Sequence, residues 1–205
     1  MKDQQAGFTI IELMIATVIF TGIMIVLTFG VIEITNTYYK GITENKTQNV
    51  ARSIMSNISQ ALQFNSGAFS QGMTTNTING STYDWLCIGS SFQLIYLPGY
   101  ELTDGTPGTG TDQTNYALME SSNCSGAGTT SISGTELLDP SMRISNLAIT
   151  ALSSSLDQIN LQVTYGDKVL LTAPATSPTV SCLGGSGDQF CTVANLSTVV
   201  NPELD

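Results

Sequence analysis

The sequence predicts an α+β chain: a long N-terminal helical spine, apolar in its first half, packed on an antiparallel β-sheet head. Three observations carry that expectation. Residues 13–32 include no formally charged side chain. Further on, Val50, Ile54, Ile58 and Leu62 recur at intervals of four, with Ala51 and Met55 beside them, as one face of a helix requires. Beyond Phe64 that period vanishes and short β-rich runs appear between Gly-, Ser- and Thr-rich stretches. With 205 residues the chain has room for one ordinary domain and an extension.

The first element is residues 8–32. Apart from Glu12 it is apolar or weakly polar, and at 1.5 Å per residue it makes a helix of about 37 Å, enough to span a bilayer. A secretory signal peptide would have a basic start, a shorter apolar core and a small-residue cleavage site after it. Here the segment continues E-I-T-N-T-Y-Y-K-G. An ordinary membrane anchor accounts for the length but not for Glu12, since a carboxylate in hydrocarbon costs a few kcal/mol. Cleavage after Gly7 accounts for both. It would create an amino group at Phe8, about 6 Å along the axis from Glu12. A matched pair of charges recovers much of the insertion cost and fixes axial register, so Glu12 reads as an assembly key that meets the N-terminus of a neighbouring copy.

The stretch G-F-T-I-I-E-L at residues 7–13, after a short polar leader, resembles the class III signal of type IV prepilins and secretion pseudopilins. The resemblance implies that Gly7 is recognised by a prepilin peptidase, that Phe8 becomes the N-methylated mature terminus, and that Glu12 meets the next subunit. Two departures accompany it. The leader holds Asp3 beside Lys2, which weakens the positive-inside bias. No proline interrupts the apolar helix, which has Phe29-Gly30 where many major pilins have one; this leans toward a minor pilin or a J-type pseudopilin. Gly22 and Gly30 are local weak points, each about 1 kcal/mol poorer than Ala in an exposed helix. Close packing between helices is their other natural role.

A second element continues the helix. Ile34, Tyr38 and Ile42 open the spacing of four that Val50 to Leu62 continue, and Gly41 is a point where the helix could bend. The expectation is one helix from about Thr9 to Gln63, roughly 80 Å long. The organisation is then a leader (1–7), a membrane or filament-core helix (8–32), an amphipathic helix packing on the head (33–63) and a β-rich head with disulfides (64–205). Residues 65–82 read as a connecting loop. Strands are expected at 85–88, 92–97, 116–119, 142–150 and 158–165. The last passes through Gly166-Asp167 as a two-residue hairpin turn into 168–172. They form one sheet of four to six strands, with Leu94, Tyr96, Ile144, Leu147, Ile159, Leu161, Val163, Val169 and Leu171 facing inward. The run D-G-T-P-G-T-G-T-D-Q-T-N, residues 104–115, is a loop tip.

Composition narrows the function. Charged residues are 11% of the chain, and the net charge of −10 with six scattered Lys and Arg argues against nucleic acid. The absence of His removes His-based triads and His metal sites. No phosphate-binding G-x-x-x-x-G-K-[ST] loop is present, so the chain is not a motor ATPase. Four cysteines lack zinc-site spacing and, beyond a membrane segment, point to disulfides in an oxidising compartment. Three pairings are possible. Proximity favours Cys182–Cys191, leaving Cys87–Cys124; four reduced buried thiols are the alternative. Closing the shorter loop contributes about 2–3 kcal/mol in a chain-entropy account. The segment after Cys191 is similar to the disulfide-closed end of some pilins, a region often exposed and variable. Asp104 and Asp112 with nearby carbonyls are weak Ca²⁺ candidates that fit no EF-hand spacing. Trp85 with Tyr83, and the pair Tyr38 and Tyr39, are aromatic candidates better explained by packing.

No enzyme and no cofactor are expected. The resemblance implies a structural subunit, a minor pilin of a type IV pilus. It would sit as a single-pass protein in the cytoplasmic membrane with its head outside the cytoplasm, and afterwards in an extracellular filament. Its partners would be other pilin subunits, the prepilin peptidase and the inner-membrane assembly machinery; adhesion and twitching motility are functions such filaments serve. A pseudopilin of a type II secretion or DNA-uptake machine is the nearer alternative. A membrane-anchored adhesin or binding module that never polymerises is the distant one.

Overall fold

The computed structural model describes residues 9–65, 69–75, 82–90, 92–96, 98, 118–121, 124, 134–153, 155–172, 179–185 and 187–202. Helix α1 runs Ile10–Phe64, 55 residues, close to the bounds the sequence predicts. Its ends are capped by its own neighbours. Thr9 closes the first turn, and Asn65 closes the last by donating from both its backbone and its side-chain nitrogen to Ala61 O, at 3.1 and 2.9 Å. By its internal contacts the chain divides between Tyr39 and Lys40.

In the N-terminal unit every described side chain from Thr9 to Thr35 is exposed. Leu13, Phe20 and Phe29 are each about 60–70% exposed within the chain. Threonine hydroxyls are the polar groups recurring through this segment, and each turns inward on the helix. Thr17 donates to Met14 O, Thr21 to Thr17 O and Val18 O, Thr28 to Met24 O and Thr35 to Val31 O, all at 2.8–3.0 Å. Their hydrogen bonding is satisfied without water, as a helix in an apolar medium needs.

The second unit is built on α1 from Lys40 onward and two antiparallel sheets. One sheet has the order β1-β2-β3-β4-β5: Phe69–Thr75, Thr82–Ile88, Phe92–Tyr96, Leu118–Ser121 and Thr135–Glu136. The other has the order β6-β7-β8: Met142–Ser153, Leu156–Tyr165 and Thr192–Val200. The strands are antiparallel as expected, but they form two sheets rather than one. A single core joins them. Ile54, Ile58 and Leu62 of α1 meet Leu86 and Leu94 of the first sheet and Ile144, Ile159 and Leu161 of the second. Each fully buried aliphatic side chain contributes roughly 1.5–3 kcal/mol of transfer free energy. The buried side chains of α1 begin at Thr43, while Ile34, Tyr38 and Ile42 are exposed.

Of the residues expected to face inward, Leu94, Tyr96, Ile144, Leu147, Ile159, Leu161 and Val163 are buried in that core. Val169 is 75% exposed, and Leu171 belongs to a separate small cluster with Val180 and Cys191. The reason is that no hairpin forms at Gly166-Asp167. Strand β7 is already paired on both sides, with β6 and with β8, whose Thr192 lies opposite Tyr165. The following chain has no ladder to join. Gly166, at φ +112°, turns it away, and Asp167 caps a short 3₁₀ turn, Lys168–Leu170, by accepting from the Val169 N–H at 3.0 Å. Leu171 then makes one isolated bridge to Cys182.

Three strands were not expected: β1, the two-residue β5 and β8. β1 lies inside the stretch read as a loop and pairs with β2 over seven positions. Its Gly72 sits opposite Trp85 and leaves room for the indole, which would be 3.0 Å from a Cβ at that position. A glycine that weakens a strand pattern is here the seat of an aromatic cross-strand neighbour. β5 pairs with β4 at two positions, and β8 pairs with β7 over nine. In β6 the apolar step from Ile144 to Leu147 is three residues, and a bulge between Ile144 and Asn146 absorbs it.

Candidate functional site

The candidate site begins at the start of α1. Thr9 precedes the helix and Glu12 is its third residue, so T-I-I-E forms a capping box. The Glu12 N–H donates to Thr9 Oγ1 at 3.3 Å, and the Thr9 N–H and hydroxyl donate to Glu12 Oε2 at 3.0 and 2.8 Å. Glu12 is an acid at the positive end of the helix dipole, with one oxygen engaged locally. The sequence singles out Glu12 but not Thr9, although the S/T-x-x-E spacing that reveals the box is legible there. The carboxylate therefore has two separable capacities: it caps its own helix through hydrogen bonds, and it carries a charge that an ammonium can neutralise.

Around Glu12 the surface is apolar. The helix is long and apolar enough to cross a membrane, and its most apolar stretch is not buried within the chain. Among the described residues nothing comes within 4 Å of where a Cβ would lie on Gly22 or Gly30.

The cysteines lie in the second unit. Cys182 and Cys191 are joined, with Cα atoms 5.9 Å apart. The loop between them is fastened to α1: Lys40 pairs with Asp188, and the Thr43 hydroxyl donates to Gln189 O at 3.2 Å. Lys46 pairs with Asp139 at 3.5 Å. These exposed ion pairs contribute about 0–1 kcal/mol each, so they set position more than stability. Cys87 and Cys124 are neighbouring thiols. Cys87 is buried with its Sγ 3.9 Å from Cys124 O, and Cys124 Sγ lies 3.1 Å from Phe92 O. Burial, reinforced by Cys124, pushes the Cys87 thiol up to about 12, which keeps it protonated and unreactive as a nucleophile. We expect this pair to be oxidised in the exported protein. Alkylation under denaturing, non-reducing conditions should then label no cysteine, whereas two labelled thiols per chain would mean that Cys87 and Cys124 never join.

Gly7 and Phe8 lie outside the described residues, as do Asp104, Asp112, Tyr116 and the rest of the 104–115 loop tip. Among the described residues no group of three or more acids or cysteines is placed to hold a metal ion. Trp85 packs on Gly72, and Tyr38 and Tyr39 meet edge-on with ring centres 6.1 Å apart.

Residues 2–28 match the family described as the prokaryotic N-terminal methylation motif. No curated protein and no solved structure matches the chain. The matched segment covers the leader, the capping box and most of the apolar stretch. Together with the apolar helix it supports a type IV pilin-like or pseudopilin role: a structural subunit, anchored in a membrane before assembly and processed by a prepilin peptidase.

Proposed function

We propose that this chain is a minor subunit of a type IV pilus. It is inserted with its leader in the cytoplasm and its head on the other side, cut between Gly7 and Phe8, methylated on the new Phe8 amine, and packed helix to helix into a filament. The observation that carries this reading is the conjunction at one helix end: the methylation motif over residues 2–28, an exposed apolar helix, and one carboxylate, Glu12, near its start.

The mechanism is structural. Leaving lipid for a protein core of similar polarity gives little net apolar drive, so packing and specific polar contacts decide the arrangement. The pair formed by Glu12 and a neighbour's Phe8 ammonium selects the register, with Gly22 and Gly30 admitting close approach. Extrusion requires work from an external motor, and the sequence contains no G-x-x-x-x-G-K-[ST] loop with which to supply it. The two cysteine pairs, Cys182–Cys191 and Cys87–Cys124, brace the head outside the cytoplasm.

Shearing appendages from intact cells tests the proposal. The chain should appear in long filaments as a minority component beside a more abundant subunit. Its complete retention in the cell envelope would favour a pseudopilin or a non-polymerising anchored protein.

A further inference from the structure

The chain divides its charge unevenly. Between Arg52 and Arg143 there is no Lys or Arg but there are seven Asp or Glu. That span supplies the whole five-stranded sheet, so any carboxylate of the sheet must find its cation elsewhere. Glu120 and Glu136 find neutral donors: the Asn57 amide lies 3.4 Å from Glu120, and the N–H groups of Leu118 and Leu138 lie 3.0 Å from Glu136. Asp84 does not resolve so simply.

Asp84 lines a cleft of about 270 Å³ together with Gln71, Met73, Trp85, Tyr96 and Leu147. Met73, Asp84 and Tyr96 stand opposite one another on neighbouring strands and so share a face of the sheet. The Tyr96 hydroxyl donates to Leu147 O at 3.1 Å. A phenol has one proton to give, so Tyr96 cannot hold Leu147 O and also fully serve an ionised Asp84. Burial accordingly holds the Asp84 carboxyl above the usual range, against the partial help of Tyr96. A cation entering the cleft would relieve both demands at once.

Backbone surrounds this carboxyl as well. β1 and β6 line the cleft, and each is the end strand of its sheet. The two edges are held near one another by side chains: Tyr96 reaches Leu147 O, and Gln71 Nε2 donates to Ile149 O at 3.3 Å. Strand edges beside a carboxylate suit a lysine or arginine carried on an extended peptide better than a free amine.

We infer that this cleft receives a lysine or arginine side chain from an extended segment of a partner protein, with the Asp84 carboxylate as its counter-charge. A second copy of this chain is a poor donor. Lys2 lies in the leader, and Lys40, Lys46 and Arg52 are carried on helix α1, where Lys40 and Lys46 are paired with Asp188 and Asp139. Lys168 belongs to a 3₁₀ turn and Arg143 is fully buried, so no described Lys or Arg is presented on an accessible extended segment. The partner is therefore a different protein, one that presents a lysine or arginine on an extended segment. The inference does not require that the chain polymerise.

Trp85 is the single tryptophan of the chain, so its fluorescence reports on this cleft. The test titrates acetyl-Gly-Lys-Gly-amide into the full-length chain in neutral detergent at pH 7. A saturable emission change is expected. It should weaken about tenfold or more when the lysine is acetylated, or in Asp84→Asn with its fold checked by circular dichroism. Glu120→Gln, on the same sheet, should leave it unchanged. No saturable change, equal affinity in Asp84→Asn, or equal loss in Glu120→Gln would overturn the inference. So would n-butylammonium binding as tightly as the peptide, since a free amine would then suffice.

Discussion

Glu12→Leu should remove the chain from sheared filaments while leaving its head folded. In the proposed assembly the carboxylate sits in an apolar environment opposite the Phe8 ammonium of a neighbour. Deleting it strands that ammonium, and an unpaired charge at such depth costs about 2.5–3.5 kcal/mol or more. That corresponds to a factor of about a hundred or more in an assembly equilibrium. Leucine also breaks the capping box with Thr9, so this variant alone does not separate charge from capping. Glu12→Gln does, since glutamine serves in a capping box but carries no charge. Thr9→Val makes the converse change: it keeps the charge and loses the hydroxyl, at a cost of about 1 kcal/mol to the helix end. The expected pattern is loss of both Glu12 variants from filaments and retention of Thr9→Val. Wild-type incorporation of Glu12→Gln would leave Glu12 as a cap and nothing more.

Ile58→Ala should have the largest effect on the head. Ile58 is fully buried, on the face of α1 that also carries Ile54 and Leu62, and it joins the core shared by both sheets. Removing three carbons there costs the lost transfer free energy and leaves a cavity between elements that cannot close independently. The expected loss is about 2–5 kcal/mol, visible as a lower denaturant midpoint in Trp85 fluorescence. Ile34→Ala is the informative contrast, because it lies in the same spacing of four but is exposed within the chain. It should change head stability by no more than about 0.5 kcal/mol. A comparable loss at Ile34 would mean that the buried face starts earlier than Thr43.

The helix was legible because its two signals are local. An uncharged run and a spacing of four need no knowledge of what lies across the core. The longer strands from Trp85 to Tyr165 were legible in the same way, through β-branched and aromatic residues, whereas the two-residue β5 was not. What stayed hidden depends on partners distant in sequence. Phe69–Thr75 is polar and contains Gly72, and it is a strand because Trp85 stands opposite. The arm after Gly166 has hairpin composition, but β8 occupies the edge it would use, and β8 is contributed by residues near the chain's end. Partition into two sheets likewise follows from which edges pair, which periodicity does not encode. At the candidate site Glu12 was conspicuous as the only charge in an apolar run. The hydroxyl of Thr9 was easier to overlook, since a threonine there also suits a membrane helix.

The most direct measurement is the intact mass of the chain recovered from the cell surface. The account predicts a protein beginning at Phe8, lighter by residues 1–7 and heavier by one methyl group. A surface protein that still begins at Met1 would have no amine at Phe8 to meet Glu12, and would contradict the proposed assembly.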